Sequence, residues 1–347
     1  MLQAGDRRWE DSRRPWALGI RLALAGLAVM AASCGACGSG GGVPPPGAAP
    51  DFDAPRAFAD LQAQVDFGSR MPGSPGHAAQ LAWMKSTLQP LAARVEEQTF
   101  TYTTPFGGPF EGSNLIAVFN PAATGAITLV GAHWDTRPRA DEDPDPANWL
   151  LPVPGANDGA SGVAVLLELA RLFAQQPPPH PVYLAFFDAE DSGKQGSGLP
   201  YLGFCLGSDY LASHWPGGLT LPNQVIVADL VGGTAQHNPR IPVRTDLGGN
   251  DYFDLPKEGE SLASAPELVN RIWTLAGALG HTAFRQETRG AMIDDHVPFI
   301  AHLGLPAVDL IDFPPPVWHT VDDTPEYCSP DALEQVGDTL AHLLYAD

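Results

Sequence analysis

Beyond residue 56, the order of apolar and polar positions predicts strands that alternate with helices. The apolar run Val182–Phe187 lies between a proline stretch and Ser192-Gly193, and a short run bounded in this way predicts a buried central strand. Residues 160–174 carry apolar side chains at helical spacing, which predicts an amphipathic helix. The other predicted strands are 98–102, 115–119, 126–132, 225–230 and 307–311, and the other predicted helices are 57–97 with a Pro/Gly interruption, 207–214, 266–279 and 330–345.

This alternation favours an α/β fold with a twisted, largely parallel or mixed central sheet that helices cover on both faces. No linker divides the region after residue 55, which indicates a single domain over residues 56–347. The chain is 44% apolar, which is sufficient for a sizeable core.

The first 37 residues have the features of an export signal. Five arginines precede the apolar residues 22–32, which are too few for a stable membrane span. Ala31-Ala32-Ser33-Cys34 resembles a bacterial lipobox, with Cys34 as the lipidated residue and Cys37 as a second candidate. We expect an envelope lipoprotein attached to the membrane through a lipid on Cys34, the alternative being cleavage and release as a periplasmic or secreted protein. Residues 38–55, rich in Gly, Pro and Ala, are predicted to form a flexible tether.

The formal net charge of −21 argues against nucleic-acid binding, because that function needs a basic surface. Outside the export region the cysteines are Cys205 and Cys328, which could pair in an oxidising compartment. The region after residue 37 has no C-x-x-C pair that would indicate a cysteine zinc site. The cysteines therefore decide little about function.

Three acids directly follow the predicted central strand: Asp188, Glu190 and Asp191. In an open α/β sheet, ligands bind in the crevice at the carboxyl ends of the strands. Two adjacent carboxylates there indicate a division of labour in which one binds a metal and the other transfers protons. The alternative for this segment alone is a solvated turn.

Further residues with metal-ligand chemistry recur at predicted strand ends and in loops. Histidine and carboxylate ligands suit zinc, and a catalytic zinc keeps one coordination position open. Asp158 precedes a predicted helix, so its alternative role is an N-terminal cap. His319 follows a proline run and has no helix or strand pattern to make it a core residue. The full set is His133, Asp135, Asp158, Glu190, Asp191, Asp229, Asp294, Asp295 and His319.

The order of these residues along the chain resembles that of the M28 family of zinc aminopeptidases and of the glutaminyl-peptide cyclotransferases that share their fold. The resemblance covers residues 66–345. Residues 70–76, Arg-Met-Pro-Gly-Ser-Pro-Gly, look like an early segment of the family, and residues 98–121, 294–299 and 313–323 look like the cyclotransferase branch in particular. The resemblance implies a zinc-aminopeptidase-like fold and a zinc-dependent reaction at a peptide N-terminus.

The resemblance also implies a role for each site residue. For the cyclotransferase branch these are Asp158, Asp191 and His319 as ligands of one zinc ion, Glu190 as general acid/base, Asp229 and Asp294 as a hydrogen-bonded acid network beside it, and Trp318 as a wall of the substrate pocket. In the two-zinc aminopeptidase branch, His133 and Asp229 complete a second metal site, and Asp158 bridges the two ions. Asp135 would orient His133. Because all of these residues are present, ligand identity alone does not choose between the branches.

Two departures from the family pattern concern the site. The zinc-binding member of the acid pair is commonly glutamate, whereas this chain has Asp191, whose shorter side chain requires the strand end or the metal to shift. Animal cyclotransferases also carry a pocket tryptophan a few residues after the pair, but residues 192–198 have no aromatic side chain. Tyr201 or Phe204 is expected to substitute, unless the pocket is wider.

We expect a glutaminyl-peptide cyclotransferase that converts the N-terminal glutamine of peptides to pyroglutamate and releases ammonia. The first alternative is a zinc aminopeptidase that hydrolyses N-terminal residues. An inactive peptide-binding lipoprotein that keeps the fold is the third hypothesis, from a different class of protein. The expected partners are peptides with a free N-terminus, and we expect a monomer.

Overall fold

The computed structural model describes residues 49–194, 203–234 and 253–346. The predicted export region, with Cys34 and Cys37, lies outside the described residues, and so does most of the predicted tether. Among the described helices, none is long and apolar enough to cross a membrane. The strands are β1 (Arg94–Thr104), β2 (Gly107–Phe119), β3 (Thr128–His133), β4 (Val182–Phe187), β5 (Gln224–Asp229), β6 (Leu255–Lys257), β7 (Phe284–Thr288) and β8 (Ala307–Ile311). The helices are α1 (Ala54–Asp66), α2 (Pro75–Leu88), α3 (Ala160–Gln175), α4 (Leu206–Ser213), α5 (Gly259–Ser264), α6 (Pro266–Leu279), α7 (His296–Leu303) and α8 (Pro330–Tyr345).

Six strands form the main sheet in the order β1-β2-β4-β3-β5-β8. Strands β1 and β2 form an antiparallel hairpin, β2 pairs antiparallel with β4, and β4, β3, β5 and β8 run parallel. Strand β4 lies inside the sheet and all of its residues are buried, as its apolar run predicts. Strands β6 and β7 form a separate parallel pair. The four parallel strands direct their carboxyl ends to one edge of the main sheet, where α/β proteins place their sites.

Side chains that alternate along the strands pack into two cores, one on each face of the sheet. On one face, Leu184 and Phe186 of β4 belong to the core that includes α1, α3, α6 and α8. On the other face, Tyr183 and Phe187 belong to the core that includes α4 and α7. The predicted fold class, a mixed sheet covered by helices on both faces, is therefore confirmed.

Strands β4 and β8 and helices α6 and α8 have the bounds that the sequence pattern predicts. The helical region predicted for residues 57–97 consists of α1 and α2, but its last four residues belong to β1. That part of the prediction was wrong because residues 94–97 pair with β2, a tertiary contact that overrides local helical spacing. The elements α5, α7, β6 and β7 were not predicted.

The folded region begins earlier than the predicted end of the tether. Helix α1 begins at Ala54, and the buried Phe52 ring packs against α8. A Cβ atom on Gly337 of α8 would come within 2.2 Å of that ring, so only glycine allows the contact. Residues 52–55 are therefore part of the fold.

The two cysteines of the folded region do not form a disulfide. Cys205 precedes α4 and Cys328 precedes α8, and both are buried free thiols. The disulfide between Cys205 and Cys328 that the sequence left open is therefore absent, and both residues are free thiols.

Candidate metal centre and active site

Most of the predicted site residues converge at the carboxyl edge of the parallel strands. His133 is the last residue of β3 and Asp229 is the last residue of β5. Glu190 and Asp191 lie just beyond β4, and His319 lies in the loop after β8. All five side chains are buried. Acids in a solvated turn would instead be exposed to water. The solvated-turn alternative for the acid pair is therefore wrong.

Asp158, Asp191 and His319 form one compact group, in which one ligand atom of each lies within 4.8 Å of the others. His319 Nε2 lies 3.2 Å from Asp191 Oδ1 and 3.8 Å from Asp158 Oδ2. A tetrahedral zinc ion with bonds of about 2.0 Å would separate its ligand atoms by about 3.3 Å. Asp191 Oδ2 is buried without a hydrogen-bond partner in the described part of the chain. This donor set fits zinc.

His133, Asp158 and Asp229 form a second group of the same kind. His133 Nε2 lies 3.1 Å from Asp158 Oδ1 and 3.1 Å from Asp229 Oδ1. The two oxygens of Asp158 therefore face different histidines, as the two oxygens of a bridging carboxylate would. The structure thus assembles the ligand sets of both branches.

The loop before α3 directs Asp158 at the site rather than at the helix. Helix α3 begins at Ala160 after Gly159, and no side-chain hydrogen bond caps it in the described structure. The N–H groups of Asn157 and Asp158 both donate to the Asp323 carboxylate, at 2.8 and 3.0 Å. The helix-cap alternative for Asp158 is therefore wrong.

Arg70, the first residue of the early family segment 70–76, holds the same loop in place through hydrogen bonds. Its buried guanidinium donates to the carbonyl groups of Pro154 and Gly155, and its backbone N–H donates to Thr136 Oγ1 at 2.9 Å. Gly155 has a φ of +71°, and a Cβ atom there would come within 2.3 Å of Thr136. The early family segment therefore positions the loop that carries Asp158.

Asp135 holds the acid pair and faces His133. Its carboxylate accepts the backbone N–H groups of Glu190 at 2.9 Å and Asp191 at 3.2 Å. One of its oxygens also lies 3.5 Å from His133 Nδ1. Asp135 therefore links β3 to the turn after β4, and this second task had no signal in the sequence.

The backbone around the site is strained. Positive φ values in non-glycine residues cost of order 1–3 kcal/mol each and persist where surrounding contacts impose them. Of the five such residues in the described ranges, only Asn120 is remote from the site. The others are Ala189 before Glu190, Cys205 facing Glu190, Leu230 after Asp229, and His319 itself.

Burial dominates the electrostatics of the ligands when no cation is bound. Burial, reinforced by the Asp191 carboxylate, raises the pKa of Asp158 to about 7. Burial also raises the pKa of Asp191 to about 7, with Arg137 acting in the opposite direction. Burial and then Arg137 lower the pKa of His319 well below its usual value, so its imidazole is neutral and able to bind metal. A cation would displace protons from the acids and find a ready nitrogen ligand.

Glu190 is buried but belongs to neither histidine-containing group. Burial raises the pKa of Glu190 well above its usual value; His133 opposes this shift, and Asp191 adds to it. A carboxyl oxygen of Asp294 lies within 4.8 Å of one of Glu190. Burial, followed by the Asp229 carboxylate, raises the pKa of Asp294 to about 7. Glu190 therefore has the surroundings of a proton-transfer group.

Arg137 is a site residue that the sequence reasoning missed. Its side chain is fully buried, with Nη1 2.9 Å from Asp191 Oδ1 and two further nitrogens 2.7 and 2.8 Å from the Asp141 carboxylate. The rings of Phe106 and Phe204 lie 5.8 and 5.5 Å from its guanidinium carbon. Arg137 therefore orients the Asp191 carboxylate through Oδ1, while Oδ2 has no hydrogen-bond partner among the described residues. No pattern in the sequence marked this partner of Asp191.

Aromatic side chains line the site on two sides. Trp318 is buried, stacks on His319 with 3.8 Å between ring centroids, and meets Phe313 edge-on. Phe204 pairs with Asp191 through an isolated β-bridge and packs on Arg137. It therefore places a ring beside the acid pair. Tyr201, the other expected substitute, lies outside the described residues.

The sequence and the fold are both similar to those of known zinc-dependent proteins. The model of peptidase family M28 matches residues 114–344, from β2 to α8. A glutaminyl-peptide cyclotransferase-like protein of Mus musculus is 30% identical over 301 residues, which is 79% of this chain and 71% of that protein. The structure of Tannerella forsythia glutaminyl cyclase matches with a TM-score of 0.77 at 32% identity, over 86% of this chain and 100% of the other. A Zn-dependent exopeptidase of Parabacteroides distasonis has the same TM-score at 33% identity, over 86% and 99%. The matched region holds every candidate metal ligand, and the chain belongs to peptidase family M28.

Proposed function

We propose that the protein is a zinc-dependent glutaminyl-peptide cyclotransferase, which converts an N-terminal glutamine to pyroglutamate and releases ammonia. One observation carries the proposal: the Glu190 carboxyl lies beside the candidate zinc ligands but outside both groups that contain histidine. Because a buried acid in that place is not a metal ligand, it can transfer protons without dissociating from the metal ion. The similarity to proteins named glutaminyl cyclase supports the choice of substrate.

Asp158, Asp191 and His319 would hold the zinc ion, because they combine a neutral imidazole with carboxylates, one of which has an unpartnered buried oxygen among the described residues. When bound, zinc would supply Lewis-acid polarisation of the substrate's side-chain amide carbonyl. The proton transfers and the orientation of the substrate fall to the side chains around it.

Glu190 accepts a proton from the α-amine as that nitrogen attacks the side-chain amide carbon. The carbon–nitrogen bond to the side-chain nitrogen then breaks, and Glu190 returns the proton to the departing ammonia. The attack is intramolecular, so holding the two groups in contact supplies part of the acceleration. Burial raises the pKa of Glu190 above its usual value, which makes it a stronger base than a solvated carboxylate and so better able to accept the amine proton. Trp318 provides an apolar wall against which the glutamine side chain can be held.

A zinc aminopeptidase is the second candidate, and the two oxygens of Asp158 that face different histidines favour it. In that reaction, Glu190 would take the proton of the attacking water and pass it to the leaving amine. The similarity to a Zn-dependent exopeptidase is consistent with this activity.

The same purified protein should be assayed for cyclisation of a Gln-peptide and for release of a chromogenic amino-acid amide, with bound zinc measured by elemental analysis. We expect cyclisation and about one zinc per chain. Amide release with two zinc ions would replace the proposal by the aminopeptidase. Zinc-free protein without either activity that still binds peptides would indicate the inactive binding protein.

We also propose that the protein is exported and carries a lipid on Cys34, on the strength of the basic, apolar and small residues that precede it. Cys34→Ser should move the protein from the membrane fraction to the soluble fraction, whereas Cys37→Ser should not. Membrane association of Cys34→Ser with Cys37 intact would reject this assignment.

A further inference from the structure

A third group of metal-ligand side chains lies beside the two histidine-containing groups. It consists of Glu190, Cys205 and Asp294, each of which offers one ligand atom within 4.8 Å of the other two. All three side chains are buried. Unlike the other two groups, this one contains sulfur and no histidine.

The distance between two of these ligands matches that of a metal site. In the metal-free protein the Cys205 thiol donates a hydrogen bond to Glu190 Oε1, with 3.5 Å between sulfur and oxygen. A tetrahedral zinc ion with a sulfur bond of about 2.3 Å and an oxygen bond of about 2.0 Å would separate those atoms by about 3.5 Å. The thiol and the carboxylate are therefore already spaced as two ligands of one ion.

The backbone fixes this spacing. The Cys205 N–H donates to the Glu190 carbonyl at 2.9 Å, and the Leu206 N–H donates to the Ala189 carbonyl at 3.1 Å. Ala189 and Cys205 both have left-handed φ values, 56° and 53°. Since two hydrogen bonds join the backbone at residues 189–190 to that at residues 205–206, the fold holds the thiol against the carboxylate.

Asp294 places further buried acid beside the thiol and Glu190. Its Oδ1 accepts the backbone N–H of Asp295, and its carboxyl group lies within hydrogen-bonding reach of the buried Asp309 carboxyl. Asp294 is 3% exposed, so water screens this cluster of acids poorly. Buried carboxyl groups this close together cannot all be ionised without cost, and a cation bound between Glu190, Cys205 and Asp294 would offset their charge.

We propose that Glu190, Cys205 and Asp294 bind a second, thiophilic divalent ion such as Zn²⁺ or Cd²⁺, and that this ion inhibits the enzyme. Binding releases the thiol proton to solvent and leaves a thiolate, a ligand that selects soft metals. Glu190 then coordinates the ion through the carboxylate that would accept a proton in turnover. The inhibition rests on the proposed role of Glu190, whereas the binding does not.

The test is a cadmium titration of zinc-loaded protein, read by the ultraviolet charge-transfer absorption of a cadmium–thiolate bond and by equilibrium dialysis. All variants carry Cys34→Ser and Cys37→Ser, which removes the two thiols of the export region and leaves only Cys205 and Cys328. The test variants are Cys205→Ala and the closer mimic Cys205→Ser, and the matched control is Cys328→Ala, which removes the other buried thiol. Thermal unfolding and catalytic zinc content verify that each variant folds.

We expect one thiolate-bound cadmium per chain in the parent and in Cys328→Ala, and none in either Cys205 variant. The cadmium concentration that halves turnover should rise at least tenfold in the Cys205 variants, relative to each variant's own cadmium-free rate. Thiolate absorption that survives in folded Cys205→Ser, or its absence from the parent, would overturn the site. A protein that shows the Cys205-dependent absorption but no Gln-peptide cyclisation would retain the site and refute the proposed function instead.

Discussion

His319 and His133 each face one oxygen of Asp158, but the two rings have opposite electrostatic surroundings. Beside His319, Arg137 pairs with Asp191 at 2.9 Å, and burial with Arg137 lowers the pKa of His319 well below its usual value. That ring is neutral in the metal-free protein. The neutral ring offers a nitrogen lone pair to a metal ion, and it adds no positive charge of its own to the group.

Carboxylates surround His133 instead. Asp158 and Asp229 each place an oxygen 3.1 Å from Nε2, and Asp135 places one 3.5 Å from Nδ1. Burial disfavours the charged ring, but Asp229 and then its neighbours raise the pKa of His133 well above its usual value. In the metal-free protein an imidazolium therefore balances the charge of the His133 group, whereas the positive charge beside the His319 group belongs to Arg137.

The largest effect is expected for His319→Ala, with His133→Ala as its matched control. Removing the neutral ligand should abolish both zinc binding and activity. The control should retain about one zinc per chain, because His133 lies outside the group of three ligands proposed to hold the single ion. Elemental analysis after dialysis decides the matter. Full zinc retention in His319→Ala would exclude it as a ligand, and a parent with two zinc ions that loses one in His133→Ala would establish the aminopeptidase arrangement.

The next effect separates Glu190 from the His319 group. Glu190→Gln keeps the shape of the side chain and removes its basic carboxylate, so turnover should fall by roughly 10²–10⁴-fold. The loss should appear mainly in kcat, while zinc content and fold remain. Asp191→Asn should lose zinc itself. Equal zinc loss in the two variants would show that the proposed division between ligand and proton carrier is wrong, and near-normal turnover of Glu190→Gln would direct the search to Asp229 and Asp294.

Arg137 is expected to have a smaller effect, exerted through Asp191. Arg137→Ala frees the carboxylate from its fixed orientation and should weaken zinc affinity by about 10–100-fold, the usual scale for a residue that orients a ligand. Arg137→Lys, which keeps the charge, should recover part of the loss. The control is Arg139→Ala, an exposed arginine that stacks on Phe106. Competition with a chelator measures the affinity, and an unchanged value in Arg137→Ala would show that the strand-end turn alone orients Asp191.

The contrast between His319 and Arg137 shows what the sequence can and cannot reveal. His319, Asp158 and the acid pair were predicted because their order along the chain resembles that of the M28 family. Their convergence follows from parallel strands, which bring their carboxyl ends together, so residues far apart in sequence share one edge. Arg137 belongs to a loop whose partners are set by tertiary packing, and no local pattern marks it. The same limit applies to Cys205, whose approach to Glu190 depends on a backbone turn in the left-handed region.

The fold followed the same rule. Buried strands such as β4 carry their own signal, because every residue is apolar. Residues 94–97 took strand conformation from their partner β2 and were predicted as helix. Local patterns therefore identify elements that are buried on both faces, and they fail where a neighbouring strand decides the conformation.

The smallest expected effect is a pH dependence of zinc-induced stabilisation. Asp158 and Asp191 have pKa values raised to about 7 in the metal-free fold, so the folded state binds protons more tightly there than the unfolded state does. Their stabilisation of the metal-free protein is present at low pH and is lost as the pH rises toward 7. His319 is neutral with and without zinc, so it contributes little to the pH dependence of the stability difference between the two forms. The gap in Tm between zinc-loaded and zinc-free protein should therefore widen by a few degrees between about pH 5 and pH 8. Scanning calorimetry of both forms measures this gap, and a constant gap would show that these two acids do not hold protons when zinc is absent.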